Sequence, residues 1–336
     1  MKTTDLAQYL TQFFSYYLTA QRNLSPNTIT SYRDTFILLL RYCHEQHHMS
    51  PECLRLDQLC KPLILTFLDY LEKERHCTTR TRNQRLAALH AFFRYLQIEA
   101  PDRMMQCQQV LTIPFRRYEH LSVPYLSVDD LSALLSQPDI STVEGRRHAV
   151  LLTVLYDTGA RVQEVIDLCV QDIRLGAPAQ IKLMGKGRKV RIVPLMSKTV
   201  DILKEYMREH ALFRENGHSH PLFFNRYGNH LSRSGVRYLI TKYSNRARQQ
   251  YPEMPLKITP HTLRHTKAMH LLQAGNPLNV IQAILGHVNL KTCTIYATAD
   301  LEMKRKALQK AEYMTPEISL SPWNSDEKLT NWLRSL

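Results

Sequence analysis

Features of secreted and membrane proteins are missing from the 336-residue sequence. No stretch approaches the roughly 18 to 20 consecutive apolar residues that a membrane helix needs. The seven cysteines are odd in number, scattered and never spaced as CxxC, so they indicate neither a disulfide framework nor a zinc knuckle. Asp5 places an acid early in the N-terminus, whereas a secretion signal has basic residues followed by an apolar run. We therefore expect a cytoplasmic protein with reduced thiols and no membrane contact.

The sequence also offers no convincing metal site. His261 and His265 are four residues apart, which is the spacing of a metallopeptidase zinc helix. In that motif a glutamate follows the first histidine, but here the position is Thr262. Arg264 would in addition place a permanent positive charge beside the metal ion. Clustered carboxylates, which a metal-dependent nuclease would need, are missing as well, so we predict no metal site.

Positive charge is what the sequence has in excess. The 44 Lys+Arg residues against 30 Asp+Glu residues give a formal net charge of +14, which is typical of proteins that bind a polyanion. Divided at residue 120, the chain has 15 basic and 11 acidic residues before and 29 basic and 19 acidic residues after. Both halves are therefore candidates for contact with nucleic acid, although a generically basic soluble protein is the alternative.

Two domains are the expected arrangement for a chain of this length. Residues 3 to 98 show only helical periodicity and predict a short four-helix domain whose last helix, after the polar Thr78-Thr79-Arg80-Thr81 cluster, is rich in arginine. Before the second of these helices, Ser25-Pro26 offers an N-cap followed by proline at the first helical position. The periodicity then breaks between residues 107 and 128, around Pro114 and Pro124, as in an extended basic linker.

The second domain is predicted to be mostly helical with one β-hairpin. Ser127-Val-Asp-Asp130 predicts a capping box at its first helix. Residues 180–184 and 189–193 alternate polar and apolar side chains and are joined by Gly185-Lys186-Gly187, which predicts a hairpin with a lysine at its tip. Helices are expected at about 128–136, 144–157, 161–169, 198–211, 232–249, 260–274, 277–285 and 289–297.

His261 and Arg264 lie at the start of one of these helices, which Thr259-Pro260 begins. Residues three apart share a helix face, so the imidazole and the guanidinium are held side by side, while Leu263 points toward a core with Met269 or Leu271. Backbone N–H groups near a helix N-terminus favour an anion, and a phosphate is the natural guest. The alternative is that both are solvated polar side chains.

A wider pattern resembles the tyrosine recombinase, or lambda-integrase, family. Six residues follow the family's order of Arg, Lys, His-x-x-Arg, His or Trp, and Tyr: Arg161, Lys186, His261, Arg264, His287 and Tyr296. Neighbouring residues also match, in Thr158-Gly-Ala-Arg-Val-Gln-Glu164, Gly185-Lys-Gly-Arg-Lys189, His261-Thr-Leu-Arg-His-Thr266 and Leu285-Gly-His287. Residues 24–32 are similar to the family's core-binding domain, so the resemblance covers about residues 5 to 300. The sequence departs from the family at Cys293, where a second threonine is usual, and at Thr298, where many relatives have histidine.

The resemblance implies a role for each of these side chains. Tyr296 would attack the scissile phosphate and form a 3′-phosphotyrosyl link, which frees a 5′-hydroxyl. Arg161 and Arg264 would clamp the non-bridging oxygens, and Glu164 would support Arg161. His261 would exchange the tyrosine proton. In the same scheme Lys186 would protonate the 5′-oxygen and His287 would hydrogen-bond the phosphate. The covalent link keeps the energy of the phosphodiester, so no nucleotide cofactor is needed, and the sequence has no P-loop.

The resemblance also implies a mainly α fold. A helical SAM-like core-binding domain over residues 1–107 and a basic linker over 108–126 would precede a mostly α catalytic domain with a small antiparallel sheet over 127–300. The two domains would close on double-stranded DNA as a C-shaped clamp, and four protomers would assemble on two recombination sites, alone or with partner recombinases. The tail over 301–336 ends in an apolar stripe too short for an isolated helix. The stripe must therefore dock on another surface. Family members pass a C-terminal helix to a neighbour, so the resemblance implies docking on a neighbouring protomer rather than on its own catalytic domain.

Basic residues in three parts of the chain are the expected DNA contacts. They are Arg80, Arg82 and Arg85 on the arginine-rich helix, Arg116 and Arg117 in the linker, and Arg188 and Lys189 beside the hairpin tip. The residues after Tyr296 resemble recombinases of transposons and other mobile elements, which predicts integration, excision or transposition. One alternative is a chromosome-dimer resolvase. The other is a catalytically silent DNA-binding regulator of the same fold, and the six retained groups argue against this regulator.

Overall fold

The computed structural model describes residues 4–118, 124–185, 187, 189–213, 219–286 and 331 of the chain. These residues belong to two compact units, Met1–His120 and Leu121–Leu336. Within the described ranges, none of the helices combines the length and the apolar character that crossing a membrane requires. The predicted helices over 289–297 and in the tail over 301–336 lie outside the described residues, apart from Asn331.

The N-terminal unit has only helices as regular secondary structure over residues 4–118. The α-helices are α1 (Asp5–Gln12), α2 (Pro26–His47), α3 (Lys61–Lys73), α4 (Thr79–Glu99) and α5 (Met104–Leu111). A π-helical segment, Phe13–Gln21, continues α1. The predicted start of α2 is confirmed, because the Ser25 hydroxyl accepts from the Thr28 N–H. Helix α4 begins earlier than predicted, at Thr79, because the Thr78 hydroxyl accepts from the Thr81 N–H and caps it.

Aromatic rings fill the centre of this unit. Phe13 is fully buried and contacts Phe92 edge-on at 5.2 Å between ring centroids, and Phe36 meets the same ring at 5.1 Å. The unit has one helix more than the four predicted. Helix α5 extends through Leu111, and the buried side chains of Val110 and Ile113 belong to the same core. The start of the predicted linker at residue 108 is therefore wrong, since burial of these apolar side chains continues the folded unit.

The C-terminal unit is mostly α with a small antiparallel sheet, as predicted. Its helices are α6 (Val128–Leu135), α7 (Val143–Thr158), α8 (Val162–Ile166), α9 (Ser197–Glu209), α10 (Arg233–Gln250), α11 (Pro260–Gln273) and α12 (Leu278–Leu285). Its strands are β1 (Ile173–Arg174), β2 (Gln180–Met184) and β3 (Val190–Pro194), in the order β1-β2-β3.

The predicted hairpin is confirmed, and Met184 and Val190 are the last paired residues before its connecting turn. Strand β1 was not predicted, because two residues are too short for an alternating pattern to be recognised. The predicted helix over 161–169 is shorter in the structure and ends at Ile166. The capping box of α6 is confirmed, since the Ser127 hydroxyl accepts from the Asp130 N–H at 3.0 Å and the Asp130 carboxylate accepts from the Ser127 N–H at 3.2 Å.

Helix α11 lies between two apolar clusters. Leu263 is fully buried in the large core that α7, α9, α10 and the sheet share. Further along α11, Met269 and Leu272 pack with Ile281 and Leu285 of α12 in a smaller cluster. The prediction that Leu263 faces a core is confirmed, although Met269 belongs to the other cluster. Because α11 packs on both sides, the positions of its first residues are held firmly.

The first described residues of this unit are hydrogen-bonded to the middle of α11. The Leu126 N–H donates to the Thr266 hydroxyl at 3.0 Å, and His270 Nε2 lies 3.0 Å from the Leu126 carbonyl. A carbonyl only accepts, so Nε2 carries the proton and Nδ1 accepts from the Tyr156 hydroxyl at 2.8 Å. The chain that enters the unit is thus attached to the helix that carries His261 and Arg264.

Candidate active site

Four of the seven predicted catalytic side chains lie within the described residues, and the fold brings them together. They are Arg161, Glu164, His261 and Arg264. The other three, Lys186, His287 and Tyr296, lie outside the described residues, and their predicted roles stay predictions. The described four come from the N-terminal ends of two helices, α8 and α11, and the two arginines among them meet where α12 ends.

Arg161 caps the N-terminus of α8 and is paired with Glu164. The Arg161 backbone N–H donates to Glu164 Oε2 at 2.8 Å, and its Nη1 donates to Oε1 at 2.8 Å. Its Nη2 lies 3.5 Å from the Gly286 carbonyl oxygen. The Arg161 side chain is 31% exposed, so part of its guanidinium can still donate to a phosphate.

Arg264 is buried, with 4% of the residue exposed, and its guanidinium donates to two main-chain carbonyls. Nη1 donates to Gly159 at 2.6 Å and Nη2 to Leu285 at 2.6 Å. Gly159 ends α7 in the left-handed region at φ +55°, and a Cβ there would lie 2.4 Å from a methyl group of Leu285. These carbonyl dipoles fix the orientation of the guanidinium before any ligand binds.

His261 is exposed in the first turn of α11, whose predicted start at Thr259-Pro260 is confirmed. Neighbouring groups exclude water from part of the imidazole, which lowers the pKa of His261 below its usual value. The positive charges of Arg264 and Arg161 lower this pKa further. The imidazole is therefore neutral at pH 7 and can accept a proton. Proximity to both guanidiniums also agrees with the predicted pairing of His261 and Arg264.

Glu164 is buried and stays ionised because two arginines share it. Burial by itself would raise the pKa of Glu164, but hydrogen bonds from Arg191 and Arg161 outweigh it and lower the pKa below its usual value. Arg191 Nη2 donates to Glu164 Oε2 at 2.8 Å. Sequence reasoning missed Arg191. The sequence feature that indicates Arg191 is the alternation of side chains along β3, which places this arginine on the inward face together with the buried Val193.

Three arginines bind three consecutive carbonyls at the end of α12. The Arg191 Nε donates to the Ile284 carbonyl at 2.9 Å, and Arg264 Nη2 donates to the Leu285 carbonyl. Arg161 Nη2 lies 3.5 Å from the Gly286 carbonyl oxygen. The last carbonyls of a helix lack partners within the helix and form the negative end of its dipole. Gly286 ends α12 at φ +65°, and a Cβ there would lie 2.8 Å from Cδ of Arg191. The site is therefore a concentration of positive charge built on this helix end.

The predicted DNA contacts occupy different environments. Arg80, Arg117 and Lys189 are exposed, and Arg188 lies outside the described residues. Arg85 is half-buried and donates to the Ser31 carbonyl at 3.0 Å. Contact with DNA stays a prediction for these five residues.

Arg116 and Arg82 pair with acids of helix α3. Arg116 is exposed and binds Asp69 at 3.1 Å as well as Glu72. Arg82 is only 2% exposed and lies 3.7 Å from the Glu72 carboxylate. The prediction that Arg82 contacts DNA is corrected, because its side chain holds α4 against α3 below the surface.

Comparison with known proteins finds matches over both units. Residues 10–100 match the phage integrase N-terminal SAM-like domain, and residues 124–303 match the phage integrase family. A protein of Sinorhizobium fredii named as an integrase/recombinase, y4rC, is 39% identical over 336 residues, which is 100% of this chain and 99% of the relative. The tyrosine recombinase XerC of Herpetosiphon aurantiacus is 32% identical over 92% of this chain and 96% of its own.

Solved structures agree with these matches in fold. The Tn1549 transposon integrase in complex with transposon right end DNA has a TM-score of 0.68 at 17% identity, covering 89% of this chain and 98% of its own. The XerH site-specific recombinase bound to palindromic difH substrate has a TM-score of 0.66 at 22% identity, covering 87% and 82%. The match over residues 124–303 spans more than half of the chain. The protein therefore belongs to the phage integrase family and is a tyrosine recombinase, an enzyme of site-specific DNA recombination.

Proposed function

We propose that the enzyme cuts and rejoins DNA through a covalent 3′-phosphotyrosyl link to Tyr296. The phenolic oxygen forms a bond to the scissile phosphorus, the bond to the 5′-oxygen breaks, and the departing strand end takes a proton from Lys186. The 5′-hydroxyl of a second strand then reverses these steps and releases the tyrosine. Each phosphodiester broken is replaced by one phosphotyrosyl bond, so the exchange needs no nucleotide cofactor.

The observation that carries this proposal is the convergence of Arg161 and Arg264 on adjacent carbonyls, those of Gly286 and Leu285. Two forked guanidiniums side by side offer parallel N–H donors to the non-bridging oxygens of a phosphate. The charge on those oxygens increases in the pentacoordinate phosphorane, and donors fixed in advance stabilise it without reorganisation. His287 is proposed as a further donor to the same phosphate.

His261 is the proposed acceptor of the tyrosine proton. The imidazole is neutral at pH 7, because its surroundings and the two guanidiniums lower its pKa. A phenol has a pKa of about 10, so a nearby base that removes its proton during attack speeds the reaction at neutral pH. The same histidine returns the proton when the strand is rejoined.

Replacing Tyr296 with phenylalanine tests the nucleophile. The variant should bind its DNA normally but form no covalent adduct, because only the phenolic oxygen is lost. A nicked suicide substrate on a denaturing gel measures the adduct. Tyr227→Phe, at a tyrosine with 71% of its surface exposed, is the matched control and should react like the wild type. An adduct at the wild-type level in Tyr296→Phe would exclude Tyr296, and a wild type that binds DNA without any adduct would favour the silent regulator.

The biological role that we propose is integration, excision or transposition of a mobile element. Two observations support it: the resemblance of the residues after Tyr296 to recombinases of mobile elements, and the full-length similarity to a relative named integrase/recombinase. Sequencing the DNA that is recovered as covalent adducts from cells tests this role. The ends of a mobile element are the expected result, whereas a single chromosomal site would favour a chromosome-dimer resolvase.

We also propose that four protomers act on two DNA sites and that the tail over 301–336 docks on a neighbouring protomer. The support is the family resemblance and the short apolar stripe of Leu329, Trp332 and Leu333, which needs a partner surface to be stable. Deleting residues 320–336 should leave binding to a single site intact while reducing synapsis and recombination. Full recombination by the truncated protein would exclude docking in trans.

A further inference from the structure

We propose that Arg191 is a positioning residue for strand cleavage, which acts through Glu164 to keep the guanidinium of Arg161 available to the scissile phosphate. The inference rests on the proposed function, in which Arg161 clamps that phosphate. Arg191 itself does not need to touch the DNA.

The position of Arg191 makes it a link between three elements. Its side chain is 10% exposed, and it points inward from β3. Nη2 donates to Glu164 in α8 at 2.8 Å, and Nε donates to the Ile284 carbonyl at the end of α12 at 2.9 Å. One planar side chain thus fixes the distance between the sheet, the acid that holds Arg161, and the helix end that Arg161 approaches. A lysine has one nitrogen and cannot reproduce this fork.

Arg191 determines how the carboxylate of Glu164 is shared. Oε1 accepts from Arg161 Nη1, while Oε2 accepts from Arg191 Nη2 and from the Arg161 backbone N–H. If Arg191 were absent, Oε2 could accept a second bond from the Arg161 guanidinium, since arginine and a carboxylate favour the bidentate pair. That pair would turn Arg161 toward the protein. Because Arg191 donates to Oε2, the guanidinium of Arg161 is bonded only to Oε1 of Glu164.

The charge of the site leads to the same conclusion. Arg161, Arg191 and Glu164 together carry one net positive charge, because a single carboxylate is shared by two guanidiniums. Without Arg191, the remaining pair of Arg161 and Glu164 is neutral. The phosphorane carries one more negative charge than the phosphodiester, so this loss affects the transition state more than the bound DNA. We therefore expect a defect in the rate of cleavage and a much smaller defect in DNA binding.

Single-turnover cleavage of a nicked suicide substrate by the full-length enzyme tests the proposal. Arg191→Met should lower the rate at saturating DNA by about tenfold or more, while the half-saturating DNA concentration changes by less than about threefold. Arg191→Lys should recover part of the rate, because its charge can pair with Glu164 but cannot also reach the helix end. Arg174→Met removes an exposed guanidinium from the same sheet and is the matched control, which should cleave at the wild-type rate.

A double-mutant cycle separates action through Glu164 from a direct or structural role. In a Glu164→Gln background, adding Arg191→Met should lower the rate by less than about threefold, because the carboxylate that Arg191 shares is already gone. Equal effects of Arg191→Met in both backgrounds would overturn the proposal. So would an Arg191→Met enzyme that cleaves at the wild-type rate with saturating DNA and shows only a lower unfolding temperature. A wild type that forms no adduct would instead overturn the proposed function, and this proposal with it.

Discussion

Each unit of the molecule buries an arginine near the start of a helix that a threonine caps, and the two arginines have different partners. Arg82, in α4, lies beside the carboxylate of Glu72, which also binds Arg116. Arg264, in α11, donates to the carbonyls of Gly159 and Leu285. A carboxylate offsets the charge of a guanidinium, whereas carbonyl dipoles fix the orientation of a guanidinium.

The difference shows which kind of burial prepares a side chain for chemistry. In the N-terminal unit, loss of hydration and then the charge of Arg116 lower the pKa of Arg82, and Glu72 opposes them. That arrangement stabilises contact between two helices and offers nothing to a ligand. In the C-terminal unit, Arg264 and Arg161 surround a helix end that already orients them. The candidate site therefore differs from the surroundings of Arg82 in that main-chain carbonyls help to fix the orientation of its arginines.

Replacing each arginine with glutamine should separate the two roles, and this is the largest effect that we expect. Arg264→Gln should lower cleavage by about 10²–10³-fold, the range for losing one donor to a developing oxyanion. Arg82→Gln should leave cleavage at saturating DNA unchanged but lower the free energy of unfolding by about 1–3 kcal/mol. Single-turnover cleavage and thermal unfolding of both variants measure the two effects. Comparable loss of cleavage in Arg82→Gln would contradict a purely structural role for this side chain.

Two glycines allow a controlled test of how closely the site is packed. Gly286 and Gly275 both have positive φ, at +65° and +84°, but only at Gly286 would a Cβ meet Arg191, at 2.8 Å from Cδ. Substitution by alanine should cost both variants about 1–2 kcal/mol of backbone strain. Only Gly286→Ala should also lower the cleavage rate, by about tenfold, because Arg191 must move. Equal cleavage rates in the two variants, measured at saturating DNA, would show that the site tolerates this displacement.

The two units should also respond differently to acid. His261 in the site and His90 in the N-terminal core both have a lowered pKa. Loss of hydration is the main cause for each, and the charges of Arg264 and Arg161 add to it for His261, as that of Arg94 does for His90. Cleavage should therefore be constant near pH 7 and fall only below pH 6.5, as His261 takes up a proton. His261→Gln should remove this part of the pH–rate profile. A rate that rises on acidification through this range would exclude His261 as the base.

For His90 the expected readout is stability, and this is the smallest effect. The unfolded chain protonates this histidine below pH 6.5, whereas the folded protein resists protonation, so the unfolded state binds more protons there. The contribution of His90 to stability is complete above pH 6.5 and is lost as the pH falls toward its lowered value. Thermal unfolding of His90→Gln between pH 5 and pH 8 should show a weaker dependence on pH than the wild type. An unchanged dependence would show that other groups cause it.

Local features of the sequence were sufficient to predict much of this fold. Hydroxyl caps at Ser25, Ser127 and Thr259 begin helices as expected, because a cap bonds to an N–H only a few residues away. Alternation of polar and apolar side chains was enough to predict the β2–β3 hairpin. The order of the catalytic-type residues is also a property of the sequence alone, and it is sufficient to indicate the family.

Long-range packing decided the rest. Helix α5 and strand β1 are short, and their formation depends on partners distant in sequence. Arg82 and Arg85 share one arginine-rich helix with Arg80, yet the positions of α2 and α3 determine that Arg82 is buried, Arg85 is half-buried and Arg80 is exposed.

The role of Arg191 depends most on the tertiary structure. Its partners, Glu164 and Ile284, lie 27 residues before and 93 residues after it in the chain. No local pattern connects residues so far apart. The chain itself therefore determined which chemical groups the site contains, while only the folded structure decided which of them share a carboxylate and which donate to main-chain carbonyls.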